Sequence, residues 1–171
     1  MTFVETFYGG HYSMIEFDIT GGSVMIDDDN DWLTNYSWHI NKQGYAVHFV
    51  NKSDSDFWGL APRKAIYLHR VVTGAGDGEV VDHINHDKLD NRSENLRICS
   101  QKENLRNQKS GKRYKGVFYL KGRKKCWQAL IVVNGVRHYL GNFYSQEEAA
   151  KAYNEAATEY FGEFAYLNEV A

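Results

Sequence analysis

The chain has 171 residues and a formal net charge of −2, with 43% hydrophobic, 15% aromatic and 25% charged residues and a single proline. That length allows one ordinary domain or two small ones, and the composition is that of a folded chain, not a disordered or collagen-like one. No run of about 18 apolar residues occurs, and Met1 to Gly10 lacks a basic segment followed by an apolar one, so neither a membrane span nor a signal peptide is expected and the chain reads as cytoplasmic. Cys99 and Cys126 stand without C-x-x-C spacing, which excludes a disulfide framework and a thiolate zinc cage.

Charge is unevenly spread. Residues 1–60 carry 2 Lys/Arg against 9 Asp/Glu, residues 61–125 carry 16 against 7, and residues 126–171 carry 2 against 6. Between Lys102 and Lys125 ten Lys/Arg meet one acid, Glu103, with Tyr114, Phe118 and Tyr119 interleaved. Such a stripe suits a polyphosphate partner, because Lys and Arg displace counterions condensed on nucleic acid. A solvated linker is the alternative reading of the same charges.

The first stretch reads as short strands: Ser13–Ile19, a Gly21-Gly22 turn, Ser23–Ile26, and a hairpin from Ser37 to Val50 turning at Asn41 to Gly44. Asp27–Asn35 between them suits a short helix. Its aspartates lack the run and terminal Glu of a calcium loop, so a helix start or solvated turn is the better reading. Trp32, Tyr36, Trp38, Tyr45 and Phe49 supply an apolar face with which this region packs against the middle of the chain. A strand or short helix through Leu68–Val72 then precedes a glycine-rich break at Gly74–Gly78.

The most informative segment lies just beyond that break. Val80-Val81 leads a strand ending in Asp82-His83, a polar loop runs from Asn85 to Glu94, and Leu96-Arg97-Ile98 returns as a strand. Ser100 and Glu103 form a capping-box pattern, so a helix starts near Gln101 with Asn104 and Asn107 on one face. Phosphodiester hydrolysis needs a base to make water nucleophilic and a cation to neutralise phosphate charge. An imidazole, a carboxylate and an amide oxygen supply the parts, and oxygen donors suit magnesium or manganese better than zinc.

Asp82-His83, Asn95 and Asn104, with Asp90-Asn91-Arg92-Ser93-Glu94-Asn95-Leu96 between, resemble the ββα-metal motif of HNH endonucleases in the His-Asn-Asn variant of phage and intron-encoded homing enzymes. The steps of twelve residues from His83 to Asn95 and nine to Asn104 resemble the spacing in that variant. The resemblance implies His83 as general base, Asp82 and Asn104 as ligands of one divalent cation, Mg2+ or Mn2+, and Asn95 as the brace that holds the loop and orients His83. Asp and Asn stand where colicin-like members have histidine ligands, which argues against tight zinc binding. Arg92, Arg97 and Asn107 are candidate DNA contacts, whereas His86 reads as loop surface. Asn91 suits either a phosphate or a backbone group, and His69 either a structural or a phosphate-contact role.

From Tyr114 the pattern changes to strands near Lys115–Leu120, Cys126–Val133 and Val136–Tyr139, with an Asn134-Gly135 hairpin turn. Ser145 caps a helix reaching about Phe161 before Gly162, with Ala149, Ala150, Tyr153, Ala156, Ala157, Tyr160 and Phe161 on its apolar face. Tyr114-Lys115-Gly116-Val117, Trp127-Gln128-Ala129, Arg137 to Phe143, Glu147 to Tyr153 and Phe164 to Asn168 resemble the plant apetala/ethylene-response-factor DNA-binding domain. In that family the sheet enters the major groove. The resemblance implies DNA contacts by Lys115, Arg137 and Tyr139, while Arg113, Arg123, Lys124 and Lys125 are candidate phosphate contacts. Phe118, Leu130 and Val132 replace family contact residues, so a plant-type target is not implied.

The expected architecture is α+β: a β-rich region over 1–60, an HNH core over 61–110, and a three-stranded antiparallel sheet on one helix over 111–171. The expected function is a metal-dependent endonuclease, a nickase or homing endonuclease, acting on double-stranded DNA, as monomer or homodimer, in phage or mobile-element DNA metabolism. A non-catalytic DNA-binding regulator and an RNA-processing nuclease are the alternatives.

Overall fold

A computed structural model describes residues 13–109, 111 and 113–170, so the reading of Met1 to Gly10 lies outside the described residues. The chain divides into two compact units, Met1–Ser100 and Gln101–Ala171. Both mix helices with sheets, giving an α+β protein. Among the described residues no helix is long and apolar enough to cross a membrane.

In the first unit β1 (Met14–Ile19) and β2 (Gly22–Asp27) form an antiparallel hairpin, and Asp28–Asn35 is a 3-10 helix. A second sheet has the order β3 (His39–Ile40), β4 (Ala46–Phe49), β5 (Ala65–Tyr67), with α1 (Ser55–Trp58) inserted between β4 and β5. Leu68–Val72 takes the helical alternative: it lies within α2 (Leu68–Thr73), which follows directly on strand β5. Strands β6 (Val80–His83) and β7 (Leu96–Cys99) form a third, two-stranded sheet.

One apolar core joins these pieces. Val24, Ile26, Leu33, Trp38, Ala46 and Val50 from the acidic stretch pack with Ile66 and Leu68 that lead into α2. Fully burying a large aliphatic side chain contributes about 1.5–3 kcal/mol. Their shared burial ties residues 14–50 to the segment that carries the hairpin β6–β7. Arg70 of α2 then fixes the glycine-rich break, donating to the carbonyls of Ala75, Gly76 and Glu79 at 3.2, 2.6 and 2.8 Å. The entry into β6 is thereby held by a side chain, while Gly74 and Gly78 supply the positive φ angles of the break.

The second unit begins with α3 (Gln101–Asn107). It continues as an antiparallel meander of β8 (Val117–Tyr119), β9 (Trp127–Val133) and β10 (Val136–Phe143). Asn134 and Gly135, both with positive φ (52° and 83°), make the tight turn between β9 and β10. Helix α4 (Gln146–Phe161) starts where Ser145 Oγ accepts the Glu148 amide at 3.0 Å. Its Ala149, Ala150, Tyr153, Ala156, Ala157 and Phe161 bury against Val117, Ala129 and Ile131. Tyr160 differs from the expected apolar face. It is exposed and packs its ring 5.2 Å from His138. Close packing also explains Gly116: at φ +73° a Cβ there would overlap the Tyr153 ring and approach the Leu130 carbonyl to 2.6 Å.

Candidate active site

Strand β6 delivers Asp82 and His83 into the protein, and both are buried. Across the register Asp82 faces Arg97 and His83 faces Leu96. A buried carboxylate needs a compensating cation, and the Arg97 guanidinium supplies one through Oδ2 of Asp82. Arg97, a candidate DNA contact by sequence, is therefore engaged inside the hairpin.

The His83 ring sits in an aromatic nest. His69 lies edge-on at 5.3 Å and Tyr45 at 5.9 Å between centroids, while Asn91 Oδ1 is 3.4 Å from His83 Nε2. Burial pushes the His83 pKa below the ordinary imidazole range, opposed by the contact to Asn91 and by Asp82, Asp87 and Asp90. The net direction keeps the ring in its neutral, proton-accepting form at neutral pH.

The loop between β6 and β7 is held by its own polar side chains. His86, at φ +67°, closes a turn by donating its amide to the His83 carbonyl at 3.0 Å. Asn95 accepts the Asn85 amide at 2.9 Å and donates to the Asp90 carbonyl at 2.8 Å, so this side chain braces the loop. Asp90 is 1% exposed and takes Arg92 through two bonds of 2.8 Å, which hold its carboxyl below the usual carboxylate range. Arg92 also meets Glu94 at 2.5 Å, so this second candidate DNA contact is doubly paired.

The acidic N-terminal stretch clamps the same loop. Met25 donates its amide to Leu89 O at 2.9 Å and accepts the Asn91 amide at 2.8 Å, making β2 a local partner of the loop. Asp27 Oδ2 accepts the Ser93 amide at 2.7 Å. The hairpin β3–β4 adds Tyr45, whose ring touches His69 and His83 and carries the Lys88 ammonium 4.4 Å above it. In the sequence neither Tyr45 nor Lys88 stands out as a site residue. The only signals are a basic residue inside the motif loop and an aromatic residue just after a turn.

In the second unit α3 carries Asn104, half-buried, and Asn107, buried. Asp82 and Asn104 thus belong to different compact units. The sheet alternates as a half-buried sheet should: Val117, Ala129 and Ile131 face α4, while Phe118, Val132, Arg137 and Tyr139 are exposed on the other side. Arg113, Arg123, Lys124 and Lys125 are also exposed, Lys125 lying 5.2 Å from the Tyr144 ring. Lys115 behaves differently. Its Nζ donates to the carbonyls of Arg106 and Gln108 at 2.6 and 2.9 Å, and burial pushes its pKa down.

Residues 67–106, which span α2, the hairpin β6–β7 and most of α3, match a family model described as HNH endonuclease. An uncharacterized HNH endonuclease of Acanthamoeba polyphaga mimivirus is 33% identical over 164 residues, covering 92% of this chain and 83% of that protein. The chain belongs to the HNH endonuclease family. No solved structure matches it. As an HNH endonuclease it is a nuclease, a hydrolase, and enzymes of this family generally use a divalent metal ion. Taken singly, the donor types suit a hard cation: Asp82, in the first unit, carries a carboxylate, and Asn104, in the second, an amide oxygen. Among the described residues no group of three or more His, Cys, Asp or Glu is gathered as a metal cluster.

Proposed function

We propose that this HNH endonuclease hydrolyses phosphodiester bonds of duplex DNA with His83 as general base and one divalent cation held by Asp82 and Asn104. The observation that carries the reading is His83 buried beside Asp82 at the end of β6, in a chain of this family. His83 accepts the proton of the attacking water, and the flanking carboxylates of Asp82, Asp87 and Asp90 favour the imidazolium that results. Asn95 and Asn91 keep the loop in the shape that presents the ring. The bound cation, Mg2+ or Mn2+, supplies charge neutralisation at the phosphate and the departing 3′-oxygen.

One base and one cation cut one strand, so a monomer nicks and a double-strand break takes two centres or two events. The C-terminal module, over 111–171, resembles the apetala/ethylene-response-factor domain and delivers the enzyme to duplex DNA. Its support is the exposed sheet face with Arg137 and Tyr139 and the exposed cations at Arg113, Arg123, Lys124 and Lys125. A basic, aromatic sheet face is suited to groove contact and phosphate neutralisation.

The test is conversion of supercoiled plasmid to open circles with magnesium, manganese, zinc or EDTA, comparing the intact protein with His83→Ala. Metal-dependent nicking that disappears with the substitution, while DNA binding persists, is the expected result. Full nicking by His83→Ala sinks the base assignment. Clear duplex binding without cleavage on many DNAs moves the reading to a DNA-binding regulator, and preferential cutting of RNA in competition overturns the substrate.

A further inference from the structure

Three basic residues lie on the hairpin β6–β7 and its loop, and they are not equivalent. Arg97 is paired with Asp82, and Arg92 with Asp90 and Glu94. Lys88 makes no ion pair with a carboxylate among the described residues. Its ammonium donates to the Gln43 carbonyl at 2.7 Å and sits 4.4 Å over the Tyr45 ring. Both partners position the charge without cancelling it. The Tyr45 ring in turn packs 5.9 Å from His83 and 5.1 Å from His69, so the ammonium is one aromatic ring away from the base.

An endonuclease with this loop faces an electrostatic problem. The hairpin and its loop carry Asp82, Asp87, Asp90 and Glu94, the first three close enough to act on His83, and the two arginines are spent on Asp82, Asp90 and Glu94. A charge that is fixed, uncancelled and half-exposed next to the base answers that need.

We propose that Lys88 and Tyr45 form a phosphate-binding subsite for the DNA strand being cut, the Lys88 ammonium contacting a phosphate oxygen beside the reacting one and the Tyr45 ring holding that ammonium in place. The inference rests on the reading of His83 as the base. Lys88 touches the substrate, while Tyr45 is a positioning residue acting through Lys88 and through the wall it forms beside His83. Residues 39–49, outside the segment that matches the family model, thereby contribute to the reaction centre.

The test uses the full chain and two readouts. The first is duplex binding in EDTA over a range of salt. Lys88→Gln is expected to lower the slope of log affinity against log salt by about 0.9, one phosphate contact, and Lys88→Arg to leave it unchanged. The second is plasmid nicking with magnesium, in which Lys88→Gln loses about tenfold in kcat/KM, the scale of one charge-assisted contact. Tyr45→Phe, which keeps the ring, stays near the intact protein, whereas Tyr45→Leu loses kcat while the salt slope persists. An unchanged slope with Lys88→Gln overturns the subsite, as does equal nicking by Tyr45→Leu and Tyr45→Phe. Absence of nicking by the intact protein defeats the base assignment, and the salt slope then judges the Lys88 contact by itself.

Discussion

Arg97 directs two donors, Nε at 3.0 Å and Nη2 at 2.7 Å, at a single oxygen of Asp82, its partner across the β6–β7 register. The pair is deep, with 11% and 7% of the two side chains exposed. Removing one member of such a pair leaves an uncompensated charge, which typically costs about 3–5 kcal/mol. Arg97→Met is therefore expected to lower the unfolding free energy by that order in urea denaturation. Adding Asp82→Asn should recover a large part of the loss, since neither member of the pair then carries a charge. A double variant as unstable as the single one would mean that guanidinium packing, not charge, is what the hairpin needs.

A second expectation concerns the clamp from β2. Asp27 is buried and accepts the amide of Ser93, the residue that opens the turn leading to Asn95. Asp27→Ala strands that amide, a cost of about 1–3 kcal/mol, and loosens the brace behind His83. Cleavage should fall more than duplex binding, and Asp27→Asn, which keeps an acceptor oxygen, should restore most of it. Equal loss of cleavage and binding would point to general unfolding instead.

Much of this is legible from residue order, for reasons that differ by element. The hairpin at Asn134-Gly135, the Ser145 cap and the strands around Asp82 and Leu96 are local: turn chemistry, capping and alternation act over a few residues. The pairing of Met25 with Leu89 and Asn91 is not local, because a single strand edge carries no mark of a partner so far along the chain. The aromatic residues of the acidic stretch do announce an apolar face that packs on the middle of the chain, and Val24, Ile26 and Leu68 share one core, but which strand edge meets which loop residue is not written in them. Arg92, Arg97 and Lys115 look like exposed cations in the sequence. Their carboxylate or carbonyl partners appear only after folding, and charge counts alone do not distinguish a solvated lysine from one that caps a helix.

Helix α3 sets a third expectation. Within the second unit Arg106 lies 4.6 Å from the Phe161 ring, Lys102 donates to Asn134 at 2.6 Å, and Lys115 ties down the last carbonyls of the helix. A helix of seven residues is not stable by itself. Truncation after residue 112 removes every one of these partners, and with them the support for Asn104. Metal-dependent nicking should therefore be lost together with DNA affinity, and should not return when DNA is raised to compensate for weaker binding. Recovery of full kcat at high DNA would show that α3 holds its shape without the C-terminal sheet.

His69 carries the pH dependence that can be argued most directly. Burial, with His83 and Arg70 nearby, pushes its pKa from 6.5 to about 3, and its Nδ1 is buried without a hydrogen-bond partner. Between those two values the unfolded chain binds a proton at this position that the folded protein refuses. Stability is then highest above the unfolded pKa and falls as pH drops from about 6.5 toward 3, at up to about 1.4 kcal/mol per pH unit from this one group. His69→Phe keeps a ring between Tyr45, Tyr67 and His83 but cannot take up the proton. Urea denaturation at pH 7, 6, 5 and 4 should give a shallower decline for the variant, the two curves separating progressively below pH 6. Parallel curves would mean that His69 is protonated in the folded protein and that its surroundings open to water in acid.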